Sequence, residues 1–197
     1  MMIKKLNKKH GPWIIKTREI KYKNPWITVK EDRVIRPDGR PGIFGTVMLQ
    51  KGVSILPLDD QEFVYLTQEF HYALGANSLE TVSGAVKKTE TYLKAARREL
   101  KEELGIEAKE WIDLGRIDPL TTIVKTPAQI FLARNLTFKK TRQDATEVIR
   151  MIKVKFEKAV DMVMKSKITH AQSCTLILKT KLYLEQNQTK VNSNDQN

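Results

Sequence analysis

The chain has 197 residues, 41% of them apolar, and its 35 Lys and Arg against 23 Asp and Glu give a formal charge of +12. That length and apolar fraction furnish one ordinary domain, or a core domain with a small accessory one, and exclude wholesale disorder. A single cysteine excludes an intramolecular disulfide scaffold and fits a reducing cytosol.

The N-terminal residues to His10 are basic but lack the apolar stretch of a secretory signal, and no run in the chain approaches the roughly 20 apolar residues of a membrane helix. A cytoplasmic protein without a membrane partner is the expectation. From Trp13 to Ile43 apolar and polar residues alternate, as in Trp26-Ile27-Thr28-Val29-Lys30, which predicts two or three antiparallel strands. Between them Pro37-Asp38-Gly39 predicts a turn, because Pro presets φ and Gly accepts a positive value. Gly45–Leu56 and Phe63–Thr67 read as further strands. Residues 1–50 are expected to form a small antiparallel β region ahead of a larger domain over residues 51–185; too few to fold comfortably alone, they are expected to pack on that domain or on a second subunit.

Helical spacing first appears at Thr91–Leu104, where Leu93, Ala96, Leu100 and Leu104 recur at steps of three and four, with Thr91 as N-cap and Gly105 as the C-terminal stop. Strand-like runs follow at Ile112–Ile117, Ile130–Ala133 and Val148–Val154. Helices are predicted over Phe156–Met164 and Ala171–Tyr183, the latter carrying Leu176, Leu178 and Leu182. From Gln186 the composition turns to Asn, Gln, Ser, Thr and Lys, so residues 186–197 are expected to be a disordered tail. Strands interspersed with helices predict an α/β (α+β) layered fold.

The charge is unevenly placed: residues 1–40 carry +8, residues 41–135 carry −2 and residues 136–197 carry +6. Basic flanks of this kind fit either a polyanion such as RNA or a solvated surface, and the solvated surface is favoured. The acidic middle is where chemistry is expected. On the helix ending at Leu104 the apolar residues fall within a sector of about 80°, and Glu99, Glu102 and Glu103 occupy a neighbouring sector of about 100°. Three carboxylates so close repel one another, and they lie toward the helix end where the macrodipole disfavours negative charge. Arg98 and Lys101 are expected to relieve this in part without reaching the middle of the acidic sector. A divalent metal, Mg²⁺ or Mn²⁺, is the partner that hard oxygen ligands of this kind suit. His10, His71 and His170 show no metal-ligand spacing and read as surface or hydrogen-bonding residues. Cys174, in an apolar helical pattern, reads as a buried thiol.

Written out, Gly84, five residues, Glu90, seven residues, Arg98-Glu99, an aliphatic residue, any residue, Glu102-Glu103, any residue, Gly105 and an aliphatic residue match the pattern G-x5-E-x7-R-E-U-x-E-E-x-G-U at every specified position. The chain resembles the Nudix hydrolases, whose box this is, and the spacing is far more specific than a lone Gly-rich loop. The resemblance implies a mixed sheet between helices, an α/β/α sandwich, that hydrolyses a nucleoside diphosphate linked to another moiety. By position, it implies Glu99 and Glu103 as main metal ligands, Glu102 as a further ligand or water-mediated catalytic contact, and a carbonyl at Ser83 or Gly84 as another. Glu90 and Arg98 resemble the pair that orients these glutamates.

The order of parts resembles the ADP-ribose pyrophosphatase branch, with a small N-terminal β domain and a homodimer. Asn24-Pro25-Trp26-Ile27-Thr28-Val29 resembles that branch's N-terminal strand. Trp26, with Phe44 second, is then a candidate for stacking on a nucleobase, or else a core or dimer-interface residue. Where the branch carries Gln-aromatic-Arg, this chain has Glu69-Phe70-His71, and where the branch has Glu-x-Pro-Ala-Gly it has Glu80-Thr81-Val82-Ser83-Gly84. Thr121-Thr122 replaces a Pro-Gly pair. His71, in place of Arg, and Val82-Ser83, in place of Pro-Ala, imply altered substrate recognition; His71 and Glu80 are candidate substrate-binding positions, and the metal residues are intact. The water-activating base is expected at Asp144 or Glu147. Two alternatives stand beside a nucleotide-sugar hydrolase such as one for ADP-ribose: an RNA-binding or cap-processing Nudix protein, and a non-catalytic nucleotide sensor.

Overall fold

A computed structural model describes the backbone of residues 3–139 and 148–194 and the side chains of residues 5–139 and 148–188. The strands in chain order are β1 (Ile3–His10), β2 (Trp13–Lys23), β3 (Ile27–Ile35), β4 (Pro41–Leu49), β5 (Gly52–Pro57), β6 (Phe63–His71), β7 (Ala76–Glu80) and β8 (Val82–Ala85). Helix α1 (Tyr92–Leu104) follows, then β9 (Ile106–Ile117), β10 (Val124–Lys125), β11 (Ala128–Phe138), β12 (Arg150–Lys155), α2 (Phe156–Met164) and α3 (Ala171–Asn194). They divide into two compact units, one of Met1–Lys51 with Asp118–Pro127, the other of Gly52–Ile117 with Ala128–Asn197.

In the first unit β1, β2, β3 and β4 form an antiparallel meander, and β10 adds in parallel to β4. The β3–β4 turn is the one predicted from Pro37-Asp38-Gly39: Gly39 has φ +79, its N–H reaches the Arg36 carbonyl at 3.0 Å, and Asp38 Oδ1 accepts from Arg40 N. Asn24 Oδ1 accepts from both Trp26 N and Ile27 N, which fixes the entry to β3 and the place of Trp26. Ile15 and Val34 are buried, and the buried Asp32 carboxylate takes two hydrogen bonds, 2.7 and 2.6 Å, from the Arg18 guanidinium. This pair lines a cavity of about 670 Å³ together with Trp13, Phe44, Thr122 and Lys125.

The second unit is a sandwich. Its four-stranded sheet runs β8-β5-β11-β9, mixed because β5 and β11 are parallel while both outer pairings are antiparallel, and a second sheet runs β12-β6-β7. Strand alternation sends side chains to opposite faces. Val53 and Ile55 of β5 and Phe131 and Ala133 of β11 meet Leu100 and Leu104 of α1 on one side. Leu56, Ile130 and Leu132 meet Phe156 and Ala159 of α2 and Leu176 and Ile177 of α3 on the other. The expected α/β/α layering with a preceding antiparallel β region is what the structure shows. Among the described residues no helix is long and apolar enough to cross a membrane.

Four points of the sequence reading need correction. The run Gly45–Leu56 is two strands, broken at Gln50 and Lys51, with β4 in the first unit and β5 in the second. Strand β7 escaped notice because Ala76-Asn77-Ser78 carries no apolar alternation; its place is set by pairing with β6. The tail expected to be disordered from Gln186 is helical as far as Asn194. The buried Leu176 and Ile177 anchor α3, and once a helix is anchored each further residue adds a hydrogen bond without a new nucleation cost. Asn187 Nδ2 bonds the Tyr183 carbonyl one turn back. Leu182, expected on the apolar stripe, is exposed.

Candidate active site

Helix α1 is bounded as its sequence dictates. Thr91 Oγ1 accepts from Lys94 N at the N-terminus, and Gly105 closes the helix in the left-handed region at φ 64, its N–H reaching the carbonyls of Leu100 and Lys101. Burial of Ala95, Ala96, Leu100 and Leu104 against the sheet leaves Glu99, Glu102 and Glu103 along one flank. Glu103 is itself buried at 8% exposure, and Glu102 is the most open of the three.

Arg98 is the hub of this flank, a point on which the sequence reading is corrected. Its Nε and Nη2 grip the two oxygens of Glu90 at 2.8 and 3.0 Å, while Nη1 reaches Glu99 Oε1 at 2.7 Å and Glu102 Oε2 at 2.9 Å. Nη2 also donates to the Ala85 carbonyl at 3.0 Å. The planar fork of Arg, with five donors, can serve three carboxylates at once, so the guanidinium does enter the acidic sector. Together Glu90 and Arg98 tie the turn after β8 to the middle of α1.

The fork holds the Glu90 carboxyl down at about 2, against an ordinary 4.5, with the Arg98 hydrogen bonds the largest cause and partial burial opposing them. The same partners, Glu90 first, raise the Arg98 guanidinium above its usual value. A depressed carboxyl contributes stability that is fully present above its unfolded value and is lost as pH falls through the folded one. The Glu90 contribution therefore disappears between about pH 4.5 and pH 2. Glu90→Gln should melt below wild type at pH 7, with the gap closing across that window; thermal melts of both proteins at pH 7, 4, 3 and 2 read it, and a constant gap would show that the ionised fork contributes nothing.

Gly84 brings the other end of the box to the helix. A Cβ there would fall on the Glu99 side chain, 2.5 Å from its Cγ, so the absent side chain is what lets the Glu99 carboxylate lie against the strand. Ser83, beside it, pairs with Ser54 across β5 and β8. Among the described residues no three His, Cys, Asp or Glu side chains form a ready-made cation cage. The donor set nonetheless fits a hard divalent metal. All candidate ligands are oxygens, Gly84 leaves room for Glu99 next to backbone carbonyls, and Arg98 Nη1 shows that one positive group can serve Glu99 and Glu102 together.

The other sequence-predicted residues divide into groups. His71 and Glu80 are brought together, His71 Nε2 lying 3.1 Å from Glu80 Oε1. A third residue joins them that spacing did not single out for the site, His170, with Nδ1 2.9 Å from Glu80 Oε2. Burial pushes the Glu80 carboxyl up, but hydrogen bonds from His170 and Ser78 and the nearby histidine charges outweigh it and leave the group below its ordinary value. Trp26 is 68% exposed in the first unit, and Phe44 sits in that unit's cavity with its ring edge-on to Trp13 at 5.5 Å. Trp13 was not anticipated as its partner. Asp144 and Glu147 lie outside the described residues.

The mixed-sheet sandwich with a box of glutamates on its first helix defines a class of pyrophosphohydrolases. Residues 48–159 match the family model of the NUDIX domain, more than half of the chain, and the protein belongs to the Nudix family as a Nudix pyrophosphohydrolase. Residues 13–47 match the nucleoside diphosphate sugar hydrolase N-terminal domain. No curated protein matches the chain. Among solved structures, the crystal structure of an ADP compounds hydrolase superposes with a TM-score of 0.79 at 16% identity, over 91% of this chain and 98% of that one, which shows the shared fold.

Proposed function

We propose that the protein hydrolyses the pyrophosphate bond of a nucleoside diphosphate joined to another moiety, a nucleotide sugar such as ADP-ribose, with Mg²⁺ or Mn²⁺ as cofactor. The observation that carries this reading is the flank of Glu99, Glu102 and Glu103, held by the Arg98–Glu90 fork against Gly84, in a chain whose N-terminal residues match a domain of nucleoside diphosphate sugar hydrolases. When bound, the metal neutralises the pyrophosphate and lowers the pKa of the attacking water. Glu99 and Glu103 would hold it, with Glu102 and the Ser83 carbonyl as further oxygen donors. With a metal bound, Arg98 would yield Glu99 and Glu102 to that task and keep Glu90, which would hold the helix in register on the strand. In this reading Trp26 and Phe44 are the candidates for stacking on a base, His71 and Glu80 the candidates for substrate binding, and Glu147 or Asp144 the base that takes the proton of the water. The reading extends to a cytoplasmic homodimer.

The test is a hydrolysis screen over ADP-ribose, other nucleotide sugars, dinucleoside polyphosphates and capped RNA, each with Mg²⁺, with Mn²⁺ and with chelator. Nucleoside monophosphate and sugar phosphate should appear with either metal and vanish with EDTA. Cleavage that persists in chelator, or that is confined to capped RNA, would overturn the reading.

A further inference from the structure

Strand pairing breaks between β7 and β8, and the break leaves the backbone N–H of Thr81 without a ladder partner in a place where the residue is wholly buried. A buried amide needs an acceptor, and here a side chain distant in sequence supplies it: Ser173 Oγ, in the first turn of α3, accepts from Thr81 N at 2.9 Å. The same hydroxyl lies 3.1 Å from Thr81 Oγ1, which in turn lies 2.6 Å from Ser54 Oγ of β5. Ser54, Thr81 and Ser173 are all fully buried. His170, immediately before α3, places Nδ1 3.0 Å from Ser173 Oγ and 2.9 Å from Glu80 Oε2. One end of α3 is thus bonded to both residues of the β7–β8 corner, and two and three residues beyond that corner the chain reaches Ser83 and then Gly84, where Glu99 rests. These bonds come from residues beyond the stretch that matches the family model, which ends at residue 159.

We infer that His170 and Ser173 are positioning residues for hydrolysis, acting through Glu80 and Thr81 to hold the Ser83–Gly84 strand at the distance from α1 that Glu99 requires. The inference rests on reading Glu99 and Glu103 as metal ligands. Groups that hold ligands in place without touching the metal typically change affinity or rate about 10–100-fold when removed.

The experiment uses the full chain and four variants, His170→Ala, His170→Asn, Ser173→Ala and Glu103→Gln. Mn²⁺ affinity is read by isothermal titration calorimetry, kcat and KM on the substrate found by screening, and amide exchange over Thr81–Gly84 by mass spectrometry on the metal-free protein. His170→Ala and Ser173→Ala should each weaken Mn²⁺ about tenfold and lower kcat about tenfold at saturating Mn²⁺, with KM within about threefold. Ser173→Ala should also speed exchange at Thr81–Gly84. His170→Asn, whose amide nitrogen can replace Nδ1, should return to within about twofold of wild type. Unchanged Mn²⁺ affinity in both alanine variants, or an Asn variant as impaired as the Ala variant, would overturn the inference. Wild-type Mn²⁺ binding that Glu103→Gln leaves untouched would instead remove the metal reading beneath it, so the two failures are told apart.

Discussion

Glu103→Gln should leave a folded protein whose turnover is lower by about a thousandfold. The side chain is buried at the C-terminal end of α1, and Gln has its shape without its charge. An anion at that helix end is disfavoured by the macrodipole, so removing the charge should leave stability within about 1 kcal/mol of wild type. The loss in activity has a different origin. If Glu103 is a metal ligand as proposed, a metal held by carboxylates contributes several kcal/mol to stabilising charge in the transition state, and at about 1.4 kcal/mol per tenfold its loss amounts to roughly three orders of magnitude. Steady-state kinetics at saturating Mg²⁺ with a parallel thermal melt decide the matter: unchanged turnover would remove Glu103 from the ligand set, and loss of the melting transition would make the effect one of folding.

Gly84→Ala should separate activity from stability in the opposite way to a core mutation. The added Cβ meets the end of a flexible side chain, so Glu99 can swing aside at the expense of its bond to Arg98 and the strand can stay in place. Gly84 lies within β8 and is not among the positive-φ glycines, so Ala meets no backbone strain. Melting should therefore stay within about 1 kcal/mol of wild type. The Glu99 carboxylate, however, would be displaced from the strand. Displacements of about 1 Å can cost about a hundredfold, and that is the loss in kcat expected here. Gly84→Val should do the same more severely. Wild-type kcat in Gly84→Ala would show that the contact between Glu99 and the strand is unused.

The box was legible in the sequence because its chemistry forces residue types onto one helix at fixed spacing, where period alone places Glu99, Glu102 and Glu103 together. The bounds of α1 were legible for a similar reason, since Thr91 and Gly105 act locally. Arg98 was read too narrowly: a helical wheel gives the direction of the Cα–Cβ bond, but a long guanidinium can turn back over its own helix and reach residues one position and four positions ahead. The corner held by Ser54, Thr81 and Ser173 was beyond reach, because three small hydroxyl residues from three distant segments carry no period. His170 was placed among hydrogen-bonding residues without its partners for the same reason. The helical extension of α3 past Gln186 went unseen because composition measures what a segment can bury by itself, and these residues continue a helix anchored by others.

The route of the chain between its two units bears on how the protein could be divided. It passes from the first to the second at Lys51–Gly52, returns at Ile117–Asp118 to lay down β10, and leaves again at Pro127–Ala128. The N-terminal unit is consequently not an N-terminal fragment. A cut after Lys51 would strip β4 of its parallel neighbour and strand Asp118–Pro127 as an insertion in the remaining piece, so separating the units as independent modules calls for grafting β10 onto the first and closing the gap from Ile117 to Ala128 in the second.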